Sequence, residues 1–272
     1  MSSNALTMFD EYLQKWNLAP DGGAIITHSS CLLPVRHNGA AAMLKIAIEP
    51  EERFGGALMV WWDGQGAARV LAHEGAALLM ERAQGDQSLV AMSYSGYDDE
   101  ATRILCGAIA ELHRPRNKPL PELIPLTRWF AELFPAAQLH GGLLALCATT
   151  ARELLEHPQE ECVLHGDIHH QNILDFGERG WLAIDPKRLW GERAFDYANL
   201  FCNPDKSVGY DRNLFLRRLD IVTEAAGFER KRLLQWILAW SGLSAAWMLG
   251  DGQSNEFDLS IAELASDELA RL

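Results

Sequence analysis

Several common protein classes are excluded by what this chain has little of. Its five cysteines, Cys31, Cys106, Cys147, Cys162 and Cys202, form no C-x-x-C pair. Neither a disulfide framework nor a thiolate zinc site is therefore expected, and a reducing compartment fits. Positive charge is scarce: 24 Lys and Arg face 37 Asp and Glu, a formal net charge of -13. Such a chain repels nucleic-acid phosphates and anionic membranes at long range, so neither is expected as a partner, whereas a small cation is attracted. A continuous apolar run is missing. The most apolar stretch, Leu233–Leu249, is interrupted by Gln235, Ser241, Gly242 and Ser244. It falls short of the roughly 20 residues of a membrane span and is expected to be a buried helix. Residues 1–20 include Asp10, Glu11 and Lys15 and hold no export signal, so a cytoplasmic protein is expected. There is no internal repeat, no low-complexity tract and no G-x-G-x-x-G.

What is present is the makings of a core. Hydrophobic residues are 48% of 272, enough to rule out wholesale disorder and to fill one large domain or two intimate lobes. The first 85 residues read as short strands around one helix. Strands are expected at Ala24–His28, Cys31–Arg36 and Ala41–Ile48, with a turn at His37-Asn38-Gly39-Ala40. Pro50-Glu51-Glu52 reads as the first turn of a helix running towards Trp61, because proline and acids suit a helix start. Asp63-Gly64-Gln65-Gly66 ends it as a plain turn, and Arg69–His73 with Ala76–Glu81 read as a strand pair. After Gly85 the pattern turns helical. In Asp98–His113 the apolar residues Ala101, Ile104, Leu105, Ala108, Ile109 and Leu112 share one helical face, and Leu143–Leu155 is similar. Strands return at Cys162–His165, Ile173–Phe176 and Trp181–Ile184, the last two joined through Gly177–Gly180. Beyond 194 the chain reads as helical, with Trp236, Trp240 and Trp247 as core. The expected fold is α+β: a β-rich lobe over residues 1–84, a connection near 81–85, and a mainly helical lobe over 85–272. The first 85 residues hold six basic and nine acidic residues and the rest eighteen and twenty-eight, so most of the negative field belongs to the helical part.

The run His165-Gly166-Asp167-Ile168-His169-His170-Gln171-Asn172, followed by Ile184-Asp185-Pro186, carries chemistry. A carboxylate sits on a loop after a strand, an amide follows five residues on, and a second carboxylate ends the next hairpin. Phosphoryl transfer needs this set. One carboxylate takes the acceptor hydroxyl's proton, while the other and the amide oxygen suit a hard divalent cation beside the phosphates. The histidines do not read as a metal centre, since all nine lie at or before position 170 and no later one completes a ligand set. His165 reads as a buried histidine bracing the loop, and His169 or His170 as an approach to the γ-phosphate.

H-G-D-x-H-x-x-N followed by I-D-P resembles the signature of the aminoglycoside phosphotransferases, relatives of protein kinases. The likeness extends through Thr27-His28-Ser29-Ser30, Trp61–Val70, Leu78–Ala83, Arg179–Pro186, Gly191-Glu192-Arg193, Phe195–Asn199 and Gly242–Trp247. Together these runs resemble the streptomycin 6-kinase group, also called aminoglycoside/hydroxyurea antibiotic resistance kinases, over roughly residues 25–250. The resemblance implies a protein-kinase-like two-lobed fold, ATP and Mg²⁺ as cofactors, and transfer of a phosphoryl group to a hydroxyl of a small cationic aminoglycoside. It implies Asp167 as catalytic base, Asn172 and Asp185 as metal ligands, and Lys45 on the nucleotide phosphates with a glutamate partner, Glu52 ahead of Glu51 and Glu49. Glu81 and Ala83 would meet adenine through their backbone, with Ser29 and Ser30 over the phosphates. Asp196 would brace the loop beside His165. Apart from the resemblance, charge and placement offer His169, Glu192, Asp251 and Asp258 as contacts to a cationic acceptor. Ile168 and Gln171 depart from the group's usual Leu and Glu, and Pro204–Arg230 and Gly252–Leu272 do not match it.

Rival readings share these residues. A protein kinase is disfavoured because only ten residues separate Asp185 from Asp196, too few for a long peptide-docking segment, and Ala-Pro-Glu is absent. A housekeeping kinase for a sugar, amino sugar or amino alcohol would use the same catalytic set. A catalytically dead drug-binding protein would be free to lose Lys45, Asp167, Asn172 and Asp185, yet all four are retained. Oligomeric state is left open by the sequence.

Overall fold

The computed structural model describes residues 3–49, 52–205 and 210–272. Its first part comprises α1 (Ser3–Lys15), β1 (Leu18–Pro20), β2 (Ile25–Ile26), β3 (Ser30–His37), β4 (Ala40–Ala47), α2 (Glu52–Trp62), β5 (Val70–Glu74) and β6 (Ala77–Glu81). The strands form one antiparallel sheet in the order β1-β3-β4-β6-β5, with β2 also on β3. Asn38 and Gly39 both take positive φ, 50° and 82°, and His37 pairs with Ala40. That is the two-residue hairpin turn whose twist matches the strands, and Asn-Gly is the pair that adopts it most readily.

Side-chain alternation along these strands decides what the sheet faces. Leu33, Leu44 and Leu79 stand opposite one another and are buried against Phe9 of α1. Each such side chain contributes on the order of 2 kcal/mol by leaving water. Leu32, Lys45 and Leu78 stand opposite one another on the other face, as do Pro34, Met43 and Met80. There Leu78 and Met80 join the same core as Leu58, Met59 and Trp62 of α2. Lys45 therefore points to the inner face because strand period 2 puts it there.

Residues 82–88 connect this sheet to the second part. It comprises α3 (Leu89–Tyr94), α4 (Asp98–Leu112), β7 (Ile124–Pro125), α5 (Leu126–Trp129), α6 (Leu133–His140), α7 (Gly142–Glu156), β8 (Glu161–Leu164), β9 (Ile173–Asp175), β10 (Trp181–Ala183), β11 (Leu189–Glu192), α8 (Phe195–Ala198), α9 (Arg212–Ala226), α10 (Arg230–Gly250) and α11 (Glu256–Leu269). Helix α4 starts with Asp98, Asp99 and Glu100, where the helix dipole favours acids. It buries Ala101, Leu105, Ala108, Ile109 and Leu112 as its spacing predicts. Helix α10 is long and apolar enough to cross a membrane by length and composition, yet 72% of its apolar window is buried in the protein. Trp236 of that helix meets Phe130 and Phe195 edge-on at 6.2 and 5.8 Å between ring centres. Two small sheets lie between the sheet of the first part and these helices: the β9–β10 hairpin, and β7-β11-β8 with β11 antiparallel to β8 and parallel to β7.

The structure corrects the sequence reading in three places. The first 85 residues hold two helices rather than one, since α1 covers the outer face of the sheet through Phe9. The strand expected at 24–28 shrinks to Ile25–Ile26 because the chain turns at Thr27. β1, β7 and β11 were not expected: each is short, and the pairings of β1 with β3 and of β11 with β7 and β8 are made only by the folded chain.

Candidate active site

The loop between β8 and β9 is held from below by a buried carboxylate. Asp196 opens α8 and is 1% exposed. Its Oδ2 accepts the His165 backbone N–H at 2.9 Å and its Oδ1 that of Gly166 at 2.7 Å. His113, at the end of α4, sits with Nε2 2.8 Å from the same Oδ2, so Nε2 carries the proton it donates there. His165 is fully buried and lies parallel to Trp62 with ring centres 6.0 Å apart. Its Nδ1 accepts the Asp167 N–H (3.2 Å) and its Nε2 donates to the Ile184 carbonyl (2.8 Å). Burial pushes its pKa down despite Asp196 and Asp167 nearby, keeping the single tautomer that serves both bonds. Gly166 takes φ +86°, and a β-carbon there would come within 2.7 Å of Leu189. The loop therefore turns tightly on its neighbour, and no larger residue fits.

These supports bring the expected residues together. Asn172 Nδ2 donates to the Asp167 carbonyl at 2.9 Å, and the Asn172 carbonyl accepts Ile184 N–H at 2.9 Å. The loop is thus closed on itself and tied to the end of β10. The next residue, Asp185, takes a left-handed φ of 64°, a strained conformation of the kind that collects at functional sites. Lys45 Nζ donates to Asp185 Oδ1 from the sheet above. Lys45 is only 7% exposed, and Leu32, Ala47, Met59, Leu78 and Met80 line the cleft around the pair. Among the described residues, no group of three or more His, Cys, Asp or Glu stands where it could hold a metal by itself. The donors at hand are oxygens of one amide and one carboxylate. That set fits Mg²⁺, which takes few protein ligands and completes its shell with phosphate oxygens and water.

The remaining expected nucleotide contacts are placed as follows. The Glu81 carboxylate is committed to the Arg69 N–H (2.6 Å) and to Arg179, which also reaches the Gly64 carbonyl. The Glu81 carboxylate is thus not offered to a ligand; in the main chain, the Glu81 N–H donates to the Arg69 carbonyl (3.0 Å) and the Ala83 carbonyl accepts from Gln84 Nε2 (3.0 Å), so the expected adenine contacts fall to the Glu81 carbonyl and the Ala83 N–H. Ser30 is buried, and its N–H and carbonyl close a turn on Thr27 Oγ1. Ser29 is half-buried, and its carbonyl ties down Ile48 N–H. Glu52 opens α2, but its side chain, like Pro50 and Glu51, lies outside the described residues.

The acceptor candidates divide. His169 is half-buried within the loop, with Nε2 3.9 Å from Asp167 Oδ1. Burial lowers its pKa against the pull of Asp167 and Asp185. His170 is corrected: it turns away from the cleft and is 2% exposed. Burial, with Arg218 adding, pushes its pKa down to about 3. Glu192 is also corrected. Its carboxylate is buried and taken by Arg232 (2.5 and 2.9 Å), Trp236 Nε1 (2.7 Å) and the Gln159 N–H (2.9 Å), so it is a structural tie. Asp258 is buried within α11, near enough to Cys202 to add to the effect of burial on that thiol, and is no surface ligand for a cation. Asp251 is exposed at the C-terminal end of α10.

Three site residues went unread in the sequence. His113 buttresses Asp196. Asn199 donates Nδ2–H to Asp167 Oδ1 at 3.2 Å, and Asn203 donates to Asn199 in turn. Polar residues three and seven places after Asp196, in the otherwise apolar stretch 197–203, were the available signal. The structure also opens a cavity of about 510 Å³ lined by Ile124, Arg128, Trp129, Glu132, Lys187 and Trp247. Lys187 starts beside the loop: its β-carbon is 3.0 Å from where one on Gly166 would stand.

Comparison with known proteins bears on the family and the fold. The family model described as aminoglycoside/hydroxyurea antibiotic resistance kinase matches residues 15–252. A streptomycin 3''-kinase of Klebsiella pneumoniae is 53% identical over 264 residues, covering 95% of this chain and 98% of that relative. A streptomycin 6-kinase of Streptomyces griseus is 30% identical over 259 residues, covering 88% and 81%. The crystal structure of aminoglycoside phosphotransferase APH(4)-Ia shares the fold, with a TM-score of 0.65 at 15% identity over 99% of both chains. The two-lobed, protein-kinase-like fold that the resemblance implied is thus the observed one, and the chain belongs to the aminoglycoside/hydroxyurea antibiotic resistance kinase family.

Proposed function

We propose that this chain transfers the γ-phosphoryl group of ATP to a hydroxyl of streptomycin, at the 3'' position. The observation that carries the reaction is the meeting of Lys45 and Asp185 across the cleft, with Asp167 and Asn172 joined beside them. The choice of acceptor and position is supported by 53% identity with a streptomycin 3''-kinase, against 30% with a streptomycin 6-kinase. In the reaction the acceptor oxygen forms a bond to the γ-phosphorus as the bond to the β-γ bridging oxygen breaks. The hydroxyl proton passes to the Asp167 carboxylate and ADP leaves. Lys45 neutralises phosphate charge from the sheet, and the main chain near Glu81 and Ala83 holds the base. Asn172 and Asp185 would hold Mg²⁺, which supplies charge neutralisation on the phosphates. Positioning and electrostatics do most of the catalytic work in such transfers.

The acceptor sits in the cavity beside Lys187, whose size falls in the range of small-molecule sites. Trp129 and Trp247 supply ring surfaces and Glu132 a carboxylate for a cationic group. A phosphate ester adds negative charge to the drug and weakens its hold on ribosomal RNA. The site of action is the cytoplasm, where ATP is available and the five free cysteines remain thiols. The test is ADP release with streptomycin, other aminoglycosides, amino sugars and amino alcohols, with the product's phosphate located by NMR. Streptomycin 3''-phosphate is expected. Turnover with an amino alcohol alone would favour the housekeeping reading, and streptomycin binding without ADP release would favour a drug-binding protein.

A further inference from the structure

A line of buried polar groups ends on Asp167 and has no part in the roles assigned so far. Asn199 is 5% exposed, and its Nδ2 donates to Asp167 Oδ1 at 3.2 Å. Its own Oδ1 accepts from Asn203 Nδ2 at 2.8 Å, and its carbonyl accepts from the same nitrogen at 2.9 Å. Asn203 faces two oxygens, so the group it presents must be its NH₂. Asn199 must then turn its oxygen to Asn203 and its NH₂ to Asp167, and the amide orientation is fixed by the network. Asn203 is anchored in turn. Its carbonyl accepts Arg218 Nη1 at 2.6 Å, and that same nitrogen reaches the Leu200 carbonyl at 2.7 Å. Arg218, 2% exposed, grips both oxygens of Asp98 at 2.5 and 2.9 Å. A bidentate pair of this kind is directional and rigid.

We propose that Asn199 is a positioning residue for Asp167: its hydrogen bond to Oδ1 fixes the rotation of the carboxylate and leaves Oδ2 to the acceptor hydroxyl. Among the described residues, Oδ2 takes no hydrogen bond. The proposal rests on the reading of Asp167 as the base. It has a physical motive. Rotation about the last bond of an aspartate is soft, and the Asp167 side chain is 33% accessible, so packing alone does not set it. A misplacement of about 1 Å at the reacting atoms can cost on the order of 100-fold in rate.

The experiment compares kcat and KM for ATP and streptomycin in Asn199→Ala, Asn199→Asp, Asn203→Ala and the Asn199→Ala/Asn203→Ala double variant, each checked by thermal melting. Asn199→Ala is expected to lower kcat roughly 10- to 100-fold with both KM values within about twofold. Asn199→Asp keeps the shape but sets an oxygen against a carboxylate, and is expected to fall below Asn199→Ala. Asn203→Ala acts only through Asn199, so it loses less, and the double variant is no slower than Asn199→Ala. Wild-type kcat in folded Asn199→Ala overturns the proposal. So does a loss of kcat that matches the loss of folded protein, or an Asn199→Asp as active as Asn199→Ala. Should the Asn199 variants not fold, Asn203→Ala decides alone: reduced kcat at unchanged KM supports the proposal, and wild-type kcat overturns it. Asp167→Asn separates the two layers. If it stays active, the reading of the base has failed. If it is inactive while Asn199→Ala is unimpaired, only the positioning role has failed.

Discussion

Replacing Asp196 by alanine should be among the most damaging single changes in the molecule, although Asp196 need touch no substrate. The carboxylate accepts three hydrogen bonds, from the His165 N–H (2.9 Å), the Gly166 N–H (2.7 Å) and His113 Nε2 (2.8 Å). It is 1% exposed, and His165 is fully buried. Alanine leaves the three donors without this acceptor, the His165 N–H in a fully buried bond and the other two in part-buried ones. Each orphaned buried group costs about 1–3 kcal/mol, so the sum is on the order of 3–6 kcal/mol after partial relaxation of the loop. Against a total stability of about 5–15 kcal/mol, that is a large fraction. For a chain of this size about 1 kcal/mol shifts Tm by about 2–4 °C, so a fall of roughly 6–24 °C is expected. Asp196→Asn keeps one accepting oxygen but turns an NH₂ towards a donor, and should fall between the two. Thermal and urea unfolding followed by circular dichroism measure this. A Tm for Asp196→Ala within about 3 °C of wild type would refute the idea that one carboxylate carries the loop.

Three further outcomes follow from the same geometry. Lys45→Met should raise KM for ATP at least tenfold, and Lys45→Arg should not restore it, because a planar guanidinium does not replace a compact ammonium in the cleft; nucleotide titration decides. Glu192→Gln leaves Arg232 with an uncompensated charge and should lose about 3 kcal/mol of stability while KM for the acceptor stays unchanged; a raised acceptor KM with normal stability would restore the acceptor role that its burial argues against. His170, with its pKa pushed down to about 3 from an unfolded value near 6.5, binds its proton in the unfolded chain first. Its contribution is complete above about pH 6.5 and is lost as pH falls towards 3, so His170→Leu should flatten the acid slope of stability by up to about 1.4 kcal/mol per pH unit. An unchanged slope in urea unfolding between pH 6 and 4 would count against it.

How far the sequence was legible depended on whether a residue's partner is near in the chain. Asp167, Asn172 and Asp185 could be read because a loop and a hairpin bring close neighbours together. The turn at Asn38-Gly39 could be read because a hairpin's signal is local, and Lys45 because the resemblance carries it. Asn199 and His113 could not, because their meaning lies in contacts to Asp167 and Asp196 across 32 and 83 residues. Glu192 and Asp258 were misread for a related reason. Both acids were expected to meet a cationic acceptor, and only the packed structure shows Glu192 enclosed by Arg232 and Trp236. His170 follows the same rule: two adjacent histidines point to opposite sides of a loop, and the sequence does not say which one faces the cleft.

The central claim is that the cleft between Lys45 and the 165–172 loop moves a phosphoryl group with Asp167 as base. The most direct measurement is the rate of ADP release with ATP, Mg²⁺ and streptomycin, for wild type and for Asp167→Asn. The account predicts streptomycin-dependent release by wild type, and in Asp167→Asn a rate lower by about 10²- to 10⁴-fold at an unchanged KM for ATP. Equal rates in the two proteins would contradict it.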